Sequence, residues 1–187
     1  VFVLGIIDDS KSLSASKKTY VQIIISLIAI FGLNLDQIVI FSFFTNYYIN
    51  VLIEILFILG ITNSINLIDG IDNLSSSMSI LISISFIIIA NLMGFYNPTY
   101  LLIIIGSLAS YLIYNIFINR IFLGDSGSLF LGWLFSITSL LFLKTSSKIT
   151  LDLLLIILAI PAFDVLYVMF SRFIKSENSN YLVRVKS

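Results

Sequence analysis

The sequence predicts an all-α integral membrane protein: a polytopic bundle of about six full transmembrane helices preceded by an N-terminal helix stub. Hydrophobic residues make up 59% of the 187 residues, charged residues make up only 11%, and the mean hydropathy is +1.10. Ordinary water-soluble domains do not reach these values, so lipid is the solvent for most of the chain. Polar residues separate apolar runs whose lengths approach the ~20 residues that a spanning helix needs.

The predicted elements follow in order from these polar interruptions. Val1 to Ile7 is apolar and has no basic segment before it, so it resembles the last turns of a helix rather than a signal peptide. The full spans are expected at Tyr20 to Leu35, Asn50 to Ile65, Ser77 to Phe95, Tyr100 to Ile118, Ser128 to Leu143 and Leu151 to Ser171. Asn97-Pro98 predicts a hairpin, because proline has no amide hydrogen and biases the preceding residue away from helix. No repeat of fixed period is found, so residues 1–187 are expected to form a single membrane domain.

The distribution of basic residues predicts the orientation, because successive loops must lie on opposite sides of the bilayer. The loop Asp8 to Thr19 lies on one side of the bilayer, and every second loop after it lies on the same side. Most of the basic residues fall in these loops. They are Lys11, Lys17, Lys18, Arg120, Arg172, Lys175, Arg184 and Lys186. Only Lys144 and Lys148 fall on the other side. The positive-inside rule therefore predicts that the first side is cytoplasmic, in the inner (plasma) membrane of a cell.

Composition also excludes several kinds of chemistry. The chain has no Cys and no His, so disulfides, thiolate metal sites and imidazole acid–base catalysis are excluded within it. The formal net charge is zero, and no basic stripe of the kind that binds nucleic acid is present. Catalysis by this chain would depend on carboxylates, Lys, Arg, Tyr and backbone groups.

Two adjacent carboxylates, Asp8 and Asp9, end the first apolar segment. Neighbouring carboxylates raise each other's pKa unless a cation lies beside them, and a hard cation such as Mg²⁺ prefers oxygen ligands. The alternative is a solvated helix end, although an acid at a helix C-terminus opposes the helix dipole. Since ionisable groups at membrane depth are usually functional, the pair is predicted to belong to a site.

The second motif covers residues 63–74 and carries regularly spaced polar side chains. Asn66, Asp69 and Asn73 lie three and four residues apart, so they would share one face of a helix. Asn63 would extend that face by one turn. Such a stripe could hold a metal, a phosphate or a sugar. The alternative is a polar loop that joins two spans, with Asp72 or Ser75 capping the next helix.

The third motif, Phe122 to Ser128, places Asp125 between Gly124 and Gly127 at the predicted N-terminus of a helix. Free amides at such an end attract phosphate, and small residues let the backbone approach it closely. By itself the motif also fits an ordinary turn with an N-cap. The acids of all three motifs fall on the cytoplasmic side and are expected to meet there; they are Asp8, Asp9, Asp69, Asp72 and Asp125.

Together the motifs resemble the signature blocks of the polyprenyl-phosphate N-acetylhexosamine-1-phosphate transferases, a membrane superfamily of the glycosyltransferase family 4 type. The matching blocks are Gly-Ile-Ile-Asp-Asp at Gly5 to Asp9, Asn-x-x-Asn-x-Ile-Asp-Gly-Ile-Asp at Asn63 to Asp72, and Phe-Leu-Gly-Asp-Ser-Gly-Ser at Phe122 to Ser128. A lesser match is Pro161-Ala162-Phe163-Asp164 with Arg172 downstream. Isoleucine before the first Asp of the second block resembles the branch that uses UDP-N-acetylglucosamine or related sugars. The branch that uses UDP-muramoyl-pentapeptide usually has Thr there.

The resemblance implies transfer of a sugar 1-phosphate from a UDP-sugar to undecaprenyl or another polyprenyl phosphate, with release of UMP. This is the membrane step that initiates synthesis of a cell-envelope glycan, such as a cell-wall polymer or lipopolysaccharide. It implies Mg²⁺, with Mn²⁺ as a substitute, and no nucleic-acid partner; a homodimer is also considered. The implied catalytic residues are Asp8, Asp9 and Asp125, with Asp125 and Asp9 as metal ligands. The implied substrate-binding residues are Asn63, Asn66, Asp69, Asp72, Gly124, Ser126 and Arg172.

The chain departs from the family pattern in three respects. Family members are longer and have several spans before the Asp-Asp block, so that N-terminal part is expected to be missing. The usual cytoplasmic His-x-His motif is replaced by Tyr181 to Lys186, and Asn73 stands where the family commonly has Gly. The departures predict either a fragment with an altered C-terminal region or a diverged member.

Two other functions compete with the transferase. A secondary transporter would carry ions on acids near the bilayer midplane, within an inverted repeat. The acid that best fits such a position is Asp164, inside the last predicted span. An inactive paralogue or membrane scaffold would explain the missing His motif.

The topology can be tested with single cysteines, because the chain contains none of its own. We expect Ser14→Cys to be protected in intact cells and Thr45→Cys to react with an impermeant thiol reagent, since the two positions lie on opposite sides. Equal labelling of both cysteines would contradict the predicted orientation.

Overall fold

The computed structural model describes residues 1–38, 46–69, 73–94, 98–118, 121–145, 149–159, 161 and 163. These residues form helices α1 (Phe2–Lys11), α2 (Ala15–Gly32), α3 (Tyr47–Ile68), α4 (Leu74–Leu92), α5 (Thr99–Phe117), α6 (Gly124–Thr145) and α7 (Leu151–Ile157), with a short 3-10 helix at Leu35–Gln37. No strand occurs in this part of the chain. Helices α2 to α6 are each long and apolar enough to cross a membrane. The prediction of an all-α polytopic bundle is therefore confirmed.

The observed helices correct the predicted boundaries. Helix α1 confirms the N-terminal helix stub but continues past the two acids to Lys11. Helices α2 to α6 all begin before the predicted spans. Hydropathy identifies only the apolar part of a helix that lies in lipid. The backbone hydrogen bonding of the helix also includes the polar residues that flank this part. Helix α7 begins at the predicted start of the sixth span. Several residues of the sequence analysis lie outside the described residues: Asp72, Asn97, Arg120, Asp164 and Arg172.

One acid lies deeper in the bundle than the sequence analysis expected. Glu54 is in the middle of α3 and is fully buried. Glu54 lies inside the predicted span Asn50 to Ile65, but the sequence analysis singled out only Asp164 as an acid within a span. Glu54 was overlooked because a single charged residue does not interrupt an otherwise apolar run.

Helix α6 occupies the centre of the described bundle. It packs against α1, α3 and α4, while α4 packs in turn against α5. Phe135 and Phe142 of α6 contact Phe86 of α4, with ring centroids separated by 6.3 and 5.4 Å. A second cluster joins α2, α3 and α6 around Ile30 and Leu140, which are fully buried. The motif at the start of α6 is thus held by helices on several sides.

Helices α3 and α6 approach each other at a glycine. A Cβ added to Gly132 would lie 2.7 Å from the Cα of Thr62, so any larger side chain would force the two backbones apart. Because lipid tails are as apolar as leucine, close packing of this kind is a main source of helix association in membranes. Gly132 therefore fixes the separation of the two helices that carry the second and third motifs.

The alternating helix directions bring all three motifs to one end of the bundle. The C-termini of α1, α3 and α5 and the N-termini of α2, α4 and α6 meet there. At the opposite end, Lys144 Nζ donates a hydrogen bond of 2.8 Å to the carbonyl of Leu33. This arrangement agrees with the predicted alternation of loops, while the cytoplasmic assignment of the motif end stays a prediction.

The Gly132 contact predicts a difference between two glycine variants. We expect Gly132→Ala to lower the melting temperature in detergent, because overpacking a close contact costs about 1–3 kcal/mol. Gly60→Ala, on α3 with open space around it, should have no such cost. Equal melting temperatures for the two variants would show that the α3–α6 interface tolerates a larger separation.

Candidate active site

The ammonium group of Lys18 lies at the point where three motifs meet. Its Nζ is 2.7 Å from Asp8 Oδ2 and 2.9 Å from Asp125 Oδ2. It also donates a long hydrogen bond of 3.4 Å to Asn66 Oδ1. The oxygen atoms come from α1, α6 and α3, whereas Lys18 belongs to the first turn of α2. The structure therefore brings residues from three distant motifs together around one cation.

Asp8 is the more buried of the two adjacent acids, with 9% of its surface exposed. Its Oδ1 accepts a hydrogen bond of 2.6 Å from the backbone N–H of Leu13. Hydrogen bonding with the Asp125 side chain lowers the pKa of Asp8 to about 2, and Lys18 and Leu13 act in the same direction against the effect of burial. Asp8 is consequently ionised at neutral pH and is oriented by α2 and by the α1–α2 turn.

Asp9 faces the N-terminus of α6. Its two carboxylate oxygens accept the backbone N–H groups of Asp125 and Ser126, at 2.9 and 3.1 Å. Burial opposes ionisation of Asp9, but the two amides outweigh it and lower the pKa of the carboxyl. A negative charge at this position also complements the helix dipole. In this structure Asp9 caps α6, and its predicted role as a metal ligand stays a prediction.

Asp69 follows the last residue of α3 and reaches the same turn of α6. The amide of Gly124, a residue with a positive φ of 75°, lies close enough to Asp69 to lower the pKa of its carboxyl. The amides of Asp125 and Ser126 at the start of α6 are bonded to the carboxylate of Asp9. The sequence analysis expected free amides that could receive phosphate. Binding of substrate by Gly124 and Ser126 stays a prediction, and use of the Ser126 amide would require Asp9 to move.

The pKa of Asp69 is raised from its usual value of 3.8 to about 6. Burial is the largest cause, and the negative charges of Asp125 and Asp9 add to it, while the Gly124 amide acts in the opposite direction. Asp69 is therefore the acid in this cluster whose protonation changes closest to neutral pH.

Asn66 connects the second motif to the third. Its Nδ2 donates to Asp125 Oδ1 at 2.5 Å and to Ser128 Oγ at 2.9 Å. Ser128 is fully buried and donates in turn to the carbonyl of Gly124 at 2.8 Å. Ser128 was not among the predicted site residues, although its place within the third motif was a signal for it.

The predicted polar stripe of the second motif is only partly correct. Asn63 and Asn66 do lie on α3, but this helix ends at Ile68, and Asn73 instead begins α4 with a left-handed φ of 62°. A continuous helix through all four positions is thus wrong, because the chain turns between α3 and α4. The side chain of Asn73 accepts a short hydrogen bond from Asn115 of α5.

Two further polar residues, Gln22 and Asn115, hold the site from outside the motifs. Gln22 of α2 exchanges two side-chain hydrogen bonds with Asn63, of 3.3 and 3.1 Å. Asn115 accepts a hydrogen bond of 2.5 Å from the N–H of Ile121, just before the third motif. Both side-chain amides are buried within apolar helices. A single polar residue in such a helix was the sequence signal that could have identified them.

The oxygen atoms around Lys18 are of the kind that a hard cation binds. In the described ranges, no three acidic side chains cluster tightly enough to form a metal site by themselves. Carboxylates of Asp8 and Asp125 nevertheless converge with the side-chain oxygen of Asn66 on one positive charge. Two carboxylates and an amide oxygen suit Mg²⁺ or Mn²⁺, which take oxygen ligands. These residues therefore fit a divalent cation better than Asp9, whose oxygens are bonded to amides.

Comparison with known proteins finds a family profile and curated relatives that match this chain. The sequence profile described as glycosyl transferase family 4 matches residues 1–144. A probable undecaprenyl-phosphate N-acetylglucosaminyl 1-phosphate transferase of Bacillus subtilis (strain 168) is 35% identical over 190 residues, which cover 95% of this chain and 51% of the relative.

Shorter matches extend to a second group of relatives. A phospho-N-acetylmuramoyl-pentapeptide-transferase of Chlamydia muridarum (strain MoPn / Nigg) is 35% identical over 51% of this chain and 30% of its own length. The corresponding enzyme of Clostridium novyi (strain NT) is 39% identical over 38% of this chain and 22% of its own length. The chain thus spans about half the length of the Bacillus relative and less of the other two.

The pKa of Asp69 predicts a pH-dependent difference in stability. Because folding raises this pKa from 3.8 to about 6, the stability that protonated Asp69 contributes is complete below pH 3.8 and is lost as the pH rises through about 6. The neutral amide of Asp69→Asn bears no charge that has to be buried. We therefore expect the melting temperature of this variant to rise relative to that of the parent as the pH increases from 3.8 to about 6. Melting curves in detergent at a series of pH values would measure the difference, and a constant difference would contradict the raised pKa.

Proposed function

Since this chain belongs to glycosyl transferase family 4, we propose that it transfers a sugar 1-phosphate from a UDP-sugar to a polyprenyl phosphate and releases UMP. Family membership confirms the resemblance seen in the three motifs. The observation that carries the proposal is the convergence of Asp8, Asn66 and Asp125 on Lys18 at one end of a membrane bundle. Both substrates are phosphate esters, and a site that pairs acids with a cation can hold them together.

The proposed reaction is a phosphoryl transfer. An oxygen of the lipid phosphate attacks the sugar-linked phosphorus of the UDP-sugar, a new P–O bond forms, and the bond from that phosphorus to the UMP oxygen breaks. Such chemistry needs alignment of the two substrates and neutralisation of negative charge more than covalent catalysis. Lys18 supplies a positive charge beside the reacting groups, and Asp8, ionised and fixed by Leu13, orients that charge.

We propose that Asp8, Asn66 and Asp125 would hold a divalent cation. Because Lys18 Nζ lies 2.7 and 2.9 Å from the two carboxylates, the ammonium would have to move aside for the ion. When bound, Mg²⁺ or Mn²⁺ neutralises the charge that develops on the diphosphate oxygens. Asp9 would contribute by holding the first turn of α6, which keeps Asp125 in place. Direct contact of Asp9 with the metal requires its carboxylate to leave the amides of Asp125 and Ser126.

The nucleotide sugar is assigned to the α3 end of the site. Asn66 and Asp69 lie there beside the start of α6, and Asp72 and Arg172 are proposed to complete the pocket from outside the described residues. We propose an N-acetylhexosamine of the N-acetylglucosamine type, because the relative matched over 95% of the chain is named for that sugar. The two muramoyl-pentapeptide relatives match 51% and 38% of the chain.

The acceptor would enter from the bilayer. Apolar side chains of α1 and α2, such as Phe2, Ile6 and Ile24, are exposed on the surface of the described bundle. A polyprenyl chain can lie in lipid against such a surface while its phosphate reaches the polar end of the helices. We propose the cytoplasmic face of the plasma membrane for this end, in the initiation of cell-envelope glycan synthesis.

Activity tests the proposal through two matched acids. In membranes containing the full chain, we expect Asp125→Asn to lower transfer of radiolabelled sugar phosphate to polyprenyl phosphate by about 10² to 10³, as losses at electrostatic sites commonly do. The variant keeps the size of the side chain, so the fold should persist. Asp152→Asn should change little, because Asp152 is exposed at the start of α7, outside every motif.

Equal activity of both variants would show that the charge of Asp125 serves only the packing of the bundle end, through Lys18 and Asn66. A parent chain that transfers no sugar phosphate, even together with the N-terminal spans of its relatives, would overturn the transferase and favour an inactive paralogue.

A further inference from the structure

Gln22 is a polar residue in the middle of an apolar membrane helix. Only 3% of its surface is exposed, and it lies in α2, which is long and apolar enough to span the bilayer. A buried amide in such a helix is costly unless its donor and acceptor are both bonded within the protein. Gln22 therefore requires a specific partner, and packing alone does not explain its presence.

That partner is Asn63 of α3. Gln22 Nε2 donates to Asn63 Oδ1 at 3.3 Å, and Asn63 Nδ2 donates to Gln22 Oε1 at 3.1 Å. Asn63 Nδ2 also donates to the carbonyl of Leu59 at 2.8 Å within its own helix. The amide nitrogen of each side chain thus donates a hydrogen bond and the amide oxygen accepts one. The pair thereby holds α2 and α3 in one relative position.

The amide pair lies next to the site on both helices. Gln22 is four residues after Lys18 on α2, and Asn63 is three residues before Asn66 on α3. Residues at these spacings lie on the same face of a helix, one turn apart. A shift of α2 against α3 would therefore move the Lys18 ammonium away from Asn66 and from Asp125, to which Asn66 is bonded.

We propose that Gln22 is a positioning residue of the transferase site, which acts with Asn63 to set the distance between Lys18 and the Asn66–Asp125 pair. This inference rests on the proposed function and deepens it. It also gives Asn63 a different role from the substrate contact predicted from its motif. The pair holds the charged groups in register, and neither amide touches the substrates.

Exchange of the two side chains tests this role directly. Gln22→Asn shortens one arm of the pair and Asn63→Gln lengthens the other, so each single variant breaks the reciprocal geometry. The double variant restores the combined length of the two arms. We expect each single variant to lose about ten-fold or more in transfer rate, since a displacement near 1 Å can cost about 10²-fold. We expect the double variant to recover most of the activity.

The recovery separates positioning from substrate contact. If Asn63 binds a substrate, a change at Gln22 cannot compensate for Asn63→Gln, and the double variant stays inactive. Such a result would overturn the proposal. The control is Ser26→Ala, one turn further along α2, because Ser26 is equally buried but donates only to the carbonyl of Gln22. This variant should retain parental activity.

A double apolar variant separates positioning from folding. Gln22→Leu combined with Asn63→Leu leaves no unpaired amide, and replacement of both partners by apolar groups is close to neutral for stability. We expect its melting temperature in detergent to match that of the parent while its transfer rate falls by about ten-fold or more. Parental activity in this variant would overturn the proposal.

A distance measurement makes the test independent of the proposed function. The chain has no cysteine, so spin labels can be attached at Ile24→Cys on α2 and Leu56→Cys on α3, both exposed positions. We expect a narrow distance distribution in the parent and in the exchanged double variant, and a broader or shifted one in each single variant. Unchanged distributions in all variants would overturn the positioning role, whereas absence of transfer in the parent would overturn the proposed function alone.

Discussion

The ammonium of Lys18 is the charge on which the arrangement of the described bundle end depends. Asp8 and Asp125 come from helices separated by more than a hundred residues, and without a cation between them their carboxylates would repel each other. Lys18 removes that repulsion and adds a contact to Asn66. Close packing at Gly132 keeps α3 and α6 near enough for Asn66 to reach Asp125. Charge pairing and helix packing therefore support the same geometry.

A second constraint acts on the first turn of α6. The early amides of a helix have no partner within the helix, and burial beside lipid would make them costly if they were left unbonded. Asp9 of the first motif supplies the partner for two of these amides, those of Asp125 and Ser126. The acids therefore have two different roles. Asp8 and Asp125 surround the Lys18 ammonium, whereas Asp9 stabilises the helix end that presents Asp125.

The sequence analysis identified the helices and the three motifs because both are local properties of the chain. Apolar runs predicted α2 to α6, since transfer of such runs to lipid depends on composition alone. Strict alternation of loops then predicted that Asp8, Asn66 and Asp125 would meet at one end. The predicted spans Asn50 to Ile65 and Ser77 to Phe95 left a break between α3 and α4. The sequence did not decide whether Asn66, Asp69 and Asn73 share one helix face or lie in a loop, because their spacing suits both.

The sequence by itself thus determined the membrane fold, the family and the end of the bundle at which the site lies. Only the tertiary structure decided which atoms meet: Lys18 rather than Lys17 enters the acidic cluster, Asp9 caps α6, and Gln22 pairs with Asn63. The physical reason is that the hydropathy and the charge of a segment depend only on the residues of that segment. A hydrogen bond or an ion pair instead requires two side chains from different helices at a distance near 3 Å, which depends on helix rotation and separation.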